Sequence, residues 1–165
     1  MAQAASTTAW RFIEFLSATD TGIGPAVAGL AEDSGIPLAP IPPEHIVNQN
    51  IPPALAERSQ AVKYPVVHVY SDRVRNVLTE KFRLFSGKVR TVAEVRFSQD
   101  RVEGIEEQLR LYVDAVTQVL DASRGTWGEG AFFAGAYEVT FDPVQHGGRN
   151  FMQIAKVTFE VDLSK

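Results

Sequence analysis

The chain has no cysteine in 165 residues. That excludes disulfides, cysteine-based zinc sites and thiol nucleophiles together, and leaves stability to packing alone. It also lacks a surplus of positive charge: 16 Lys and Arg against 20 Asp and Glu give a net charge of −4. A dedicated nucleic-acid binder concentrates Lys and Arg over the whole domain, so only a local basic stripe stays open. Long apolar runs are missing too. The opening MAQAASTTAWRFIEFL has no basic leader and no long apolar core, and its one basic residue, Arg11, lies inside an amphipathic pattern. Neither signal peptide nor membrane span is read there, so synthesis inside the cell and no membrane partner are expected. The three histidines, His45, His68 and His146, stand far apart and in no spacing that recurs in metal sites. With no catalytic carboxylate pair visible either, no catalytic, cofactor or metal residue is assigned, and the expectation is a non-enzyme without a cofactor.

At 45% hydrophobic residues, this length can bury one sizeable core. Residues 1–165 read as a single domain in three parts: an N-terminal helix (1–19), a proline-rich arm (20–63) and an α+β core (64–165). In the first part Trp10, Phe12, Ile13 and Leu16 recur near three- and four-residue spacing, which predicts a short helix over about Ser6 to Ala18 capped by Ser6 or Thr7. The arm carries seven of the nine prolines. Proline fixes φ and removes a backbone donor, so mainly irregular chain is expected, with helical turns around Ala26 to Glu32 and Pro53 to Arg58. Its apolar residues Ile36, Leu38, Ile41, Ile46, Val47, Ile51 and Leu55 are too many for a solvated linker. They need a surface, offered either by the arm's own domain or by a neighbouring subunit.

From Tyr64 the pattern becomes regular. KYPVVHVYSD predicts a strand over Tyr64 to Tyr70, with Pro65 tolerated at its start. GKVRTVAEVRF predicts a second, beginning as early as Phe82 and with Gly87 as a bulge or bend. Val102, Ile105, Leu109, Tyr112, Val113, Val116 and Leu120 form the apolar stripe of a long helix, opened by an Asp100–Glu103 capping box and stopped near Gly125. AYEVTFDP and FMQIAKVTFEVDL are two further strands, an antiparallel pair joined through Gly147–Gly148. The order predicts an α+β fold: a small, mainly antiparallel sheet covered on one face by the long amphipathic helix, with the N-terminal helix and the arm added.

Strict alternation in the second strand puts Val89, Thr91, Ala93, Val95 and Phe97 on one face. Lys88, Arg90, Val92, Glu94 and Arg96 fall on the other, alongside Glu138, Lys156, Glu160 and Asp162 from the last strands. That face is expected to meet water or a polar partner, and Lys88, Arg90, Glu94 and Arg96 are the candidate subunit or partner interface. His68, between Val67 and Val69, reads as a surface or interface strand residue. GTWGEG lacks the lysine and the strand-to-helix setting of a phosphate loop and reads as a turn anchored by Trp127. HGGRN is more simply a hairpin connection, and DTGIG lacks the β-rich context of an aspartic protease.

The run from YPVVHVYSD through VRTVAEVRFS, VEGIEEQLRLYVDAVTQVL, AYEVTFDP and AKVTFEVDL resembles the tail terminator (tail completion) proteins of long-tailed bacteriophages, including related tail-to-head joining proteins. The resemblance covers about Tyr64 to Leu163 and the N-terminal helix; it lies in element order and pattern, and the long arm departs from it. It implies a structural virion protein made in the host cytoplasm. Such a protein forms a ring, expected to be hexameric, that caps the tail tube, ends tube polymerisation and joins tail to head. Its partners would be further copies of itself, the tail tube protein and head-tail connector proteins, with passing contact to DNA in the channel. Two readings stand beside it: a head-side neck or connector subunit, and a free-standing protein- or nucleic-acid-binding module. A small enzyme would require several of His45, His68, Asp72 and Glu94 to converge in one pocket.

Overall fold

A computed structural model describes residues 3–147 and 149–165. Among these described residues the fold is mixed α+β, with four helices and a curled, mostly antiparallel sheet. Helix α1 (Ala4–Ser17) starts two residues before the expected cap, so Ser6 and Thr7 lie inside it. Its buried stripe is Ala4, Thr8, Ala9, Phe12, Ile13 and Leu16, whereas Trp10, expected on that stripe, is 54% exposed. Trp10 is held by a hydrogen bond instead: its Nε1 donates to the Asn48 amide at 3.1 Å, and that amide donates to the Val69 carbonyl.

The arm is more regular than its prolines suggest. Helix α2 (Ile23–Ser34) and helix α3 (Pro53–Ser59) extend the two expected helical turns, each with proline in its first turn, where no backbone donor is missed. Between them lie a 3-10 turn at Pro43–His45 and strand β1 (Ile46–Val47). The arm covers its own domain. Ile23, Val27, Ile41 and Ile46 join the main core cluster, and the Ala39 carbonyl accepts a hydrogen bond from the Tyr112 hydroxyl at 2.9 Å.

Three long strands form the centre: β2 (Val66–Asn76), β3 (Ser86–Gln99) and β8 (Asn150–Ser164). β3 and β8 pair antiparallel without a break from Ser86 opposite Ser164 to Gln99 opposite Phe151. The far edge of β8 is tiled in turn by β7 (Gln145–Gly147), β6 (Tyr137–Phe141) and β5 (Ala131–Phe133), and β4 (Gly125–Gly128) pairs with β5. At the opposite edge β1 adds in parallel to β2. The expected pairing of the last two strands is present, with the short β7 also paired to β8; Gly148 of the expected Gly147–Gly148 connection lies outside the described residues.

β2 runs six residues past the expected end at Tyr70, and β3 starts at Ser86 rather than Phe82. The bulge is not at Gly87, which pairs regularly with Asn76; it lies at Asp72, the extra residue between the pairs Ser71–Thr91 and Arg73–Arg90. Gly87 serves close approach, since a Cβ there would sit 1.8 Å from the Arg75 carbonyl oxygen.

Helix α4 (Ile105–Ala122) buries Ile105, Leu109, Tyr112, Val113, Val116, Val119 and Leu120 and leaves Glu106, Glu107, Arg110 and Asp114 exposed. It packs against α2, β3 and β8. The expected Asp100–Glu103 capping box does not form, because the helix begins after Gly104, and Val102 lies outside it and exposed. The Gln99 amide instead donates to the carbonyls of Arg101 and Glu103. GTWGEG becomes β4 and its turn, with buried Trp127 parallel to Phe12, edge-on to Phe15 and Phe159 and tilted against Phe133.

Candidate functional site

The charged face of β3 meets two environments, divided near Val92. Towards Gln99 the face is closed. Glu94 (5% exposed) and Arg96 (2% exposed) form a buried ion pair, which corrects the expectation that both face outward. The pair is closed over by the arm: Arg96 Nη2 donates to the Ile51 carbonyl and Arg96 Nε donates to Glu94. The Tyr70 hydroxyl donates to Glu94 at 3.0 Å, and Lys156 Nζ stands 3.6 Å away at the rim. Desolvating two charges is costly, and only this full set of partners offsets it. The Tyr70 hydroxyl is pushed above its ordinary range by burial and then by the Glu94 charge, so it stays a donor. Arg96 therefore ties the arm to the sheet.

His68, opposite Glu94 on β2, is 1% exposed and not a surface residue. Burial lowers its pKa to about 4, the Arg96 charge acts in the same direction and Glu94 in the other, so the ring is neutral at pH 7. His45 and His68 share a cleft of about 280 Å³ with Glu44, Val47, Lys63 and Val66. His45 Nδ1 pairs with the Pro65 carbonyl at 3.0 Å. Of the four residues from which the enzyme reading needs several, His45 and His68 share this cleft, while Asp72 turns to Arg90 and Glu94 to Arg96.

Towards Ser86 the face is open, as expected for Lys88 and Arg90. The bulge places Asp72 against Arg90 in a two-pronged pair, 2.8 Å at each prong. That pair raises the Arg90 pKa. Lys88 reaches Asp162 at 3.4 Å and Glu160 at 3.7 Å. These carboxylates offset an unfavourable ladder, in which Arg73 stands opposite Arg90 and Arg75 opposite Lys88. Arg73 and Arg75 themselves make no ion pair among the described residues.

The same end of the sheet carries a feature the alternation analysis missed. The β2–β3 loop is pinned at its base: Val77 and Leu78 donate to the Ser86 carbonyl, and Leu84 and Phe85 donate to that of Lys165. Phe85 is buried. The side chains of Val77, Leu78 and Leu84 on this base, and of Phe82 beyond it, project into solvent, Phe82 fully and Leu84 at 87%. Leu78 (φ 47°) and Phe82 (φ 67°) hold left-handed backbone, which is costly for bulky side chains. The signal in the sequence was composition: VLTEKFRLF holds five large apolar residues with no alternation to bury them.

The sequence matches no family model and no curated protein. Among the described residues no helix is long and apolar enough to cross a membrane.

Proposed function

We propose that the protein is a structural ring subunit of the head-tail junction of a long-tailed phage, in the role of a tail terminator that caps the tube and presents a docking surface. It acts by assembly and not by catalysis. The order helix, strand, long strand, helix and closing strands supports the reading, with α4 as the layer over one face of the sheet. The observation that carries it is the β2–β3 loop: four exposed apolar side chains within eight residues, on a base fixed by hydrogen bonds, call for a partner surface. The open, ion-paired half of the β3 face beside it, with Lys88 and Arg90, supplies charge pattern for partner choice. Glu94 and Arg96 drop out of that interface and serve the arm instead.

Light scattering over a concentration series, with negative-stain images of the same sample, tests the proposal. Closed rings of one size are the expected result; a monomer at every concentration, alone and with tail tubes, overturns it. A second reading, a nucleic-acid-binding module, is favoured by the basic run Arg73, Arg75, Lys81, Arg83, Lys88 and Arg90. It predicts duplex binding by the monomer that weakens steeply with salt.

A further inference from the structure

We infer that two copies of this chain join head to tail, with the β2–β3 loop of one seated in the proline-walled cleft between α1 and α2 of the next. The inference rests on the ring reading and names the contact by which such a ring closes.

The cleft measures about 250 Å³ and its lining is mostly apolar, including Leu16, Ile23, Pro25, Pro40, Pro42 and Ile46. A cavity of about 150 Å³ already takes a benzene ring, so an aromatic side chain fits this one. Loop and cleft lie at opposite ends of the sheet. Ile46, in the cleft wall, pairs with Val67 near the start of β2, and the loop leaves β2 after Asn76. Nine residues of strand at about 3.3 Å each place the two roughly 30 Å apart, beyond reach within one chain. Two different complementary patches at opposite ends are what a heterologous contact needs.

Charge selects the same pairing. From Phe12 to Glu57 the chain has no Lys or Arg and six carboxylates. Among these, Asp20 adjoins cleft residue Thr19, Glu44 follows cleft residue Pro43 and lines the neighbouring His45–His68 cleft, and Glu32 and Asp33 lie on α2. None of these four makes an ion pair among the described residues. From Arg73 to Arg90 there are six Lys and Arg against the single carboxylate of Glu80. Arg83, Lys88 and Arg90 have carboxylates of their own chain, but Arg73, Arg75 and Lys81 make no ion pair among the described residues, and these three match the acidic rim of the socket across two copies.

Because the chain has no cysteine, two single substitutions give clean reporters. Lys81→Cys sits on the loop and Thr19→Cys in the cleft lining. Both are made in the full chain, purified reduced, then mixed and oxidised mildly. A covalent dimer is expected in the mixture and in neither variant alone. Adding Phe82→Ser to the loop partner should cut its yield about tenfold, as loss of a buried aromatic anchor does. Phe82 is exposed, so its replacement leaves the fold alone. Cross-linking of either variant with itself at equal yield overturns the inference, because it signals a two-fold or random contact. Discrete rings without the mixed dimer also overturn it and leave the ring reading standing. The mixed dimer with open, concentration-dependent chains upholds the contact and removes the ring. If no mixed dimer forms and Phe82→Ser or Arg73→Glu instead weakens duplex DNA binding, the loop is a nucleic-acid contact and the inference falls.

Discussion

A guanidinium buried as deeply as Arg96 is tolerable only while Glu94 and the Ile51 carbonyl remain in place. Arg96→Ala leaves Glu94 buried with Tyr70 and a rim lysine, so a loss of about 3–5 kcal/mol is expected in urea titration. Replacing Glu94 and Arg96 together by Leu and Met should recover much of that loss, because no buried charge is then stranded. Arg90→Glu, on the open half of the same face, should leave the urea midpoint unchanged and alter assembly instead. Joint reversal of Arg90 and Arg96, which alternation alone would treat as harmless, is expected to unfold the protein through Arg96. His68 supplies a pH test. Its folded pKa of about 4 lies below the unfolded value of 6.5, so the unfolded chain binds the extra proton between these values. The His68 contribution is complete above about pH 6.5 and falls away as pH drops towards 4, by up to about 3 kcal/mol. A plot of unfolding free energy against pH should show this slope in the wild type and lose it in His68→Asn.

At the scale of elements, the β2–β3 hairpin depends on backbone proximity as much as on side chains. Gly87→Ala brings a Cβ against the Arg75 carbonyl, and backbone cannot give way as a side-chain tip can. Slower refolding and a lower unfolding midpoint are expected, with helix content unchanged in circular dichroism. Within the core, Val95 and Leu109 are both fully buried on one cluster. Leu109→Ala should cost about 2–5 kcal/mol, and an aspartate at Val95 should abolish cooperative unfolding. These elements were legible beforehand because their periodicities are long: a seven-residue apolar stripe of which six positions fall on α4, and alternation through β3. The bulge at Asp72 and the start of α4 after Gly104 were not legible. Each depends on which partner strand or side chain claims a backbone group, and no local pattern encodes that.

For the whole molecule, the separation of charge predicts salt-sensitive association. Particle mass at fixed concentration should fall as ionic strength rises to about 1 M, where charges are screened beyond roughly 3 Å. An apolar contact alone would strengthen or stay constant under the same titration.

By itself the sequence determined the kind of chain this is: one without covalent staples, with an amphipathic long helix, alternating strands, and an arm too apolar to stay in water. Tertiary structure alone decided what the arm and the charged face do to each other. Alternation says that Lys88, Arg90, Glu94 and Arg96 share a side of β3, and it is blind to what lies over that side. Chain from 45 residues before Arg96 closes over Glu94 and Arg96 and leaves Lys88 and Arg90 in solvent. A strand's period fixes the direction of a side chain, but burial is a property of whatever non-local surface arrives above it.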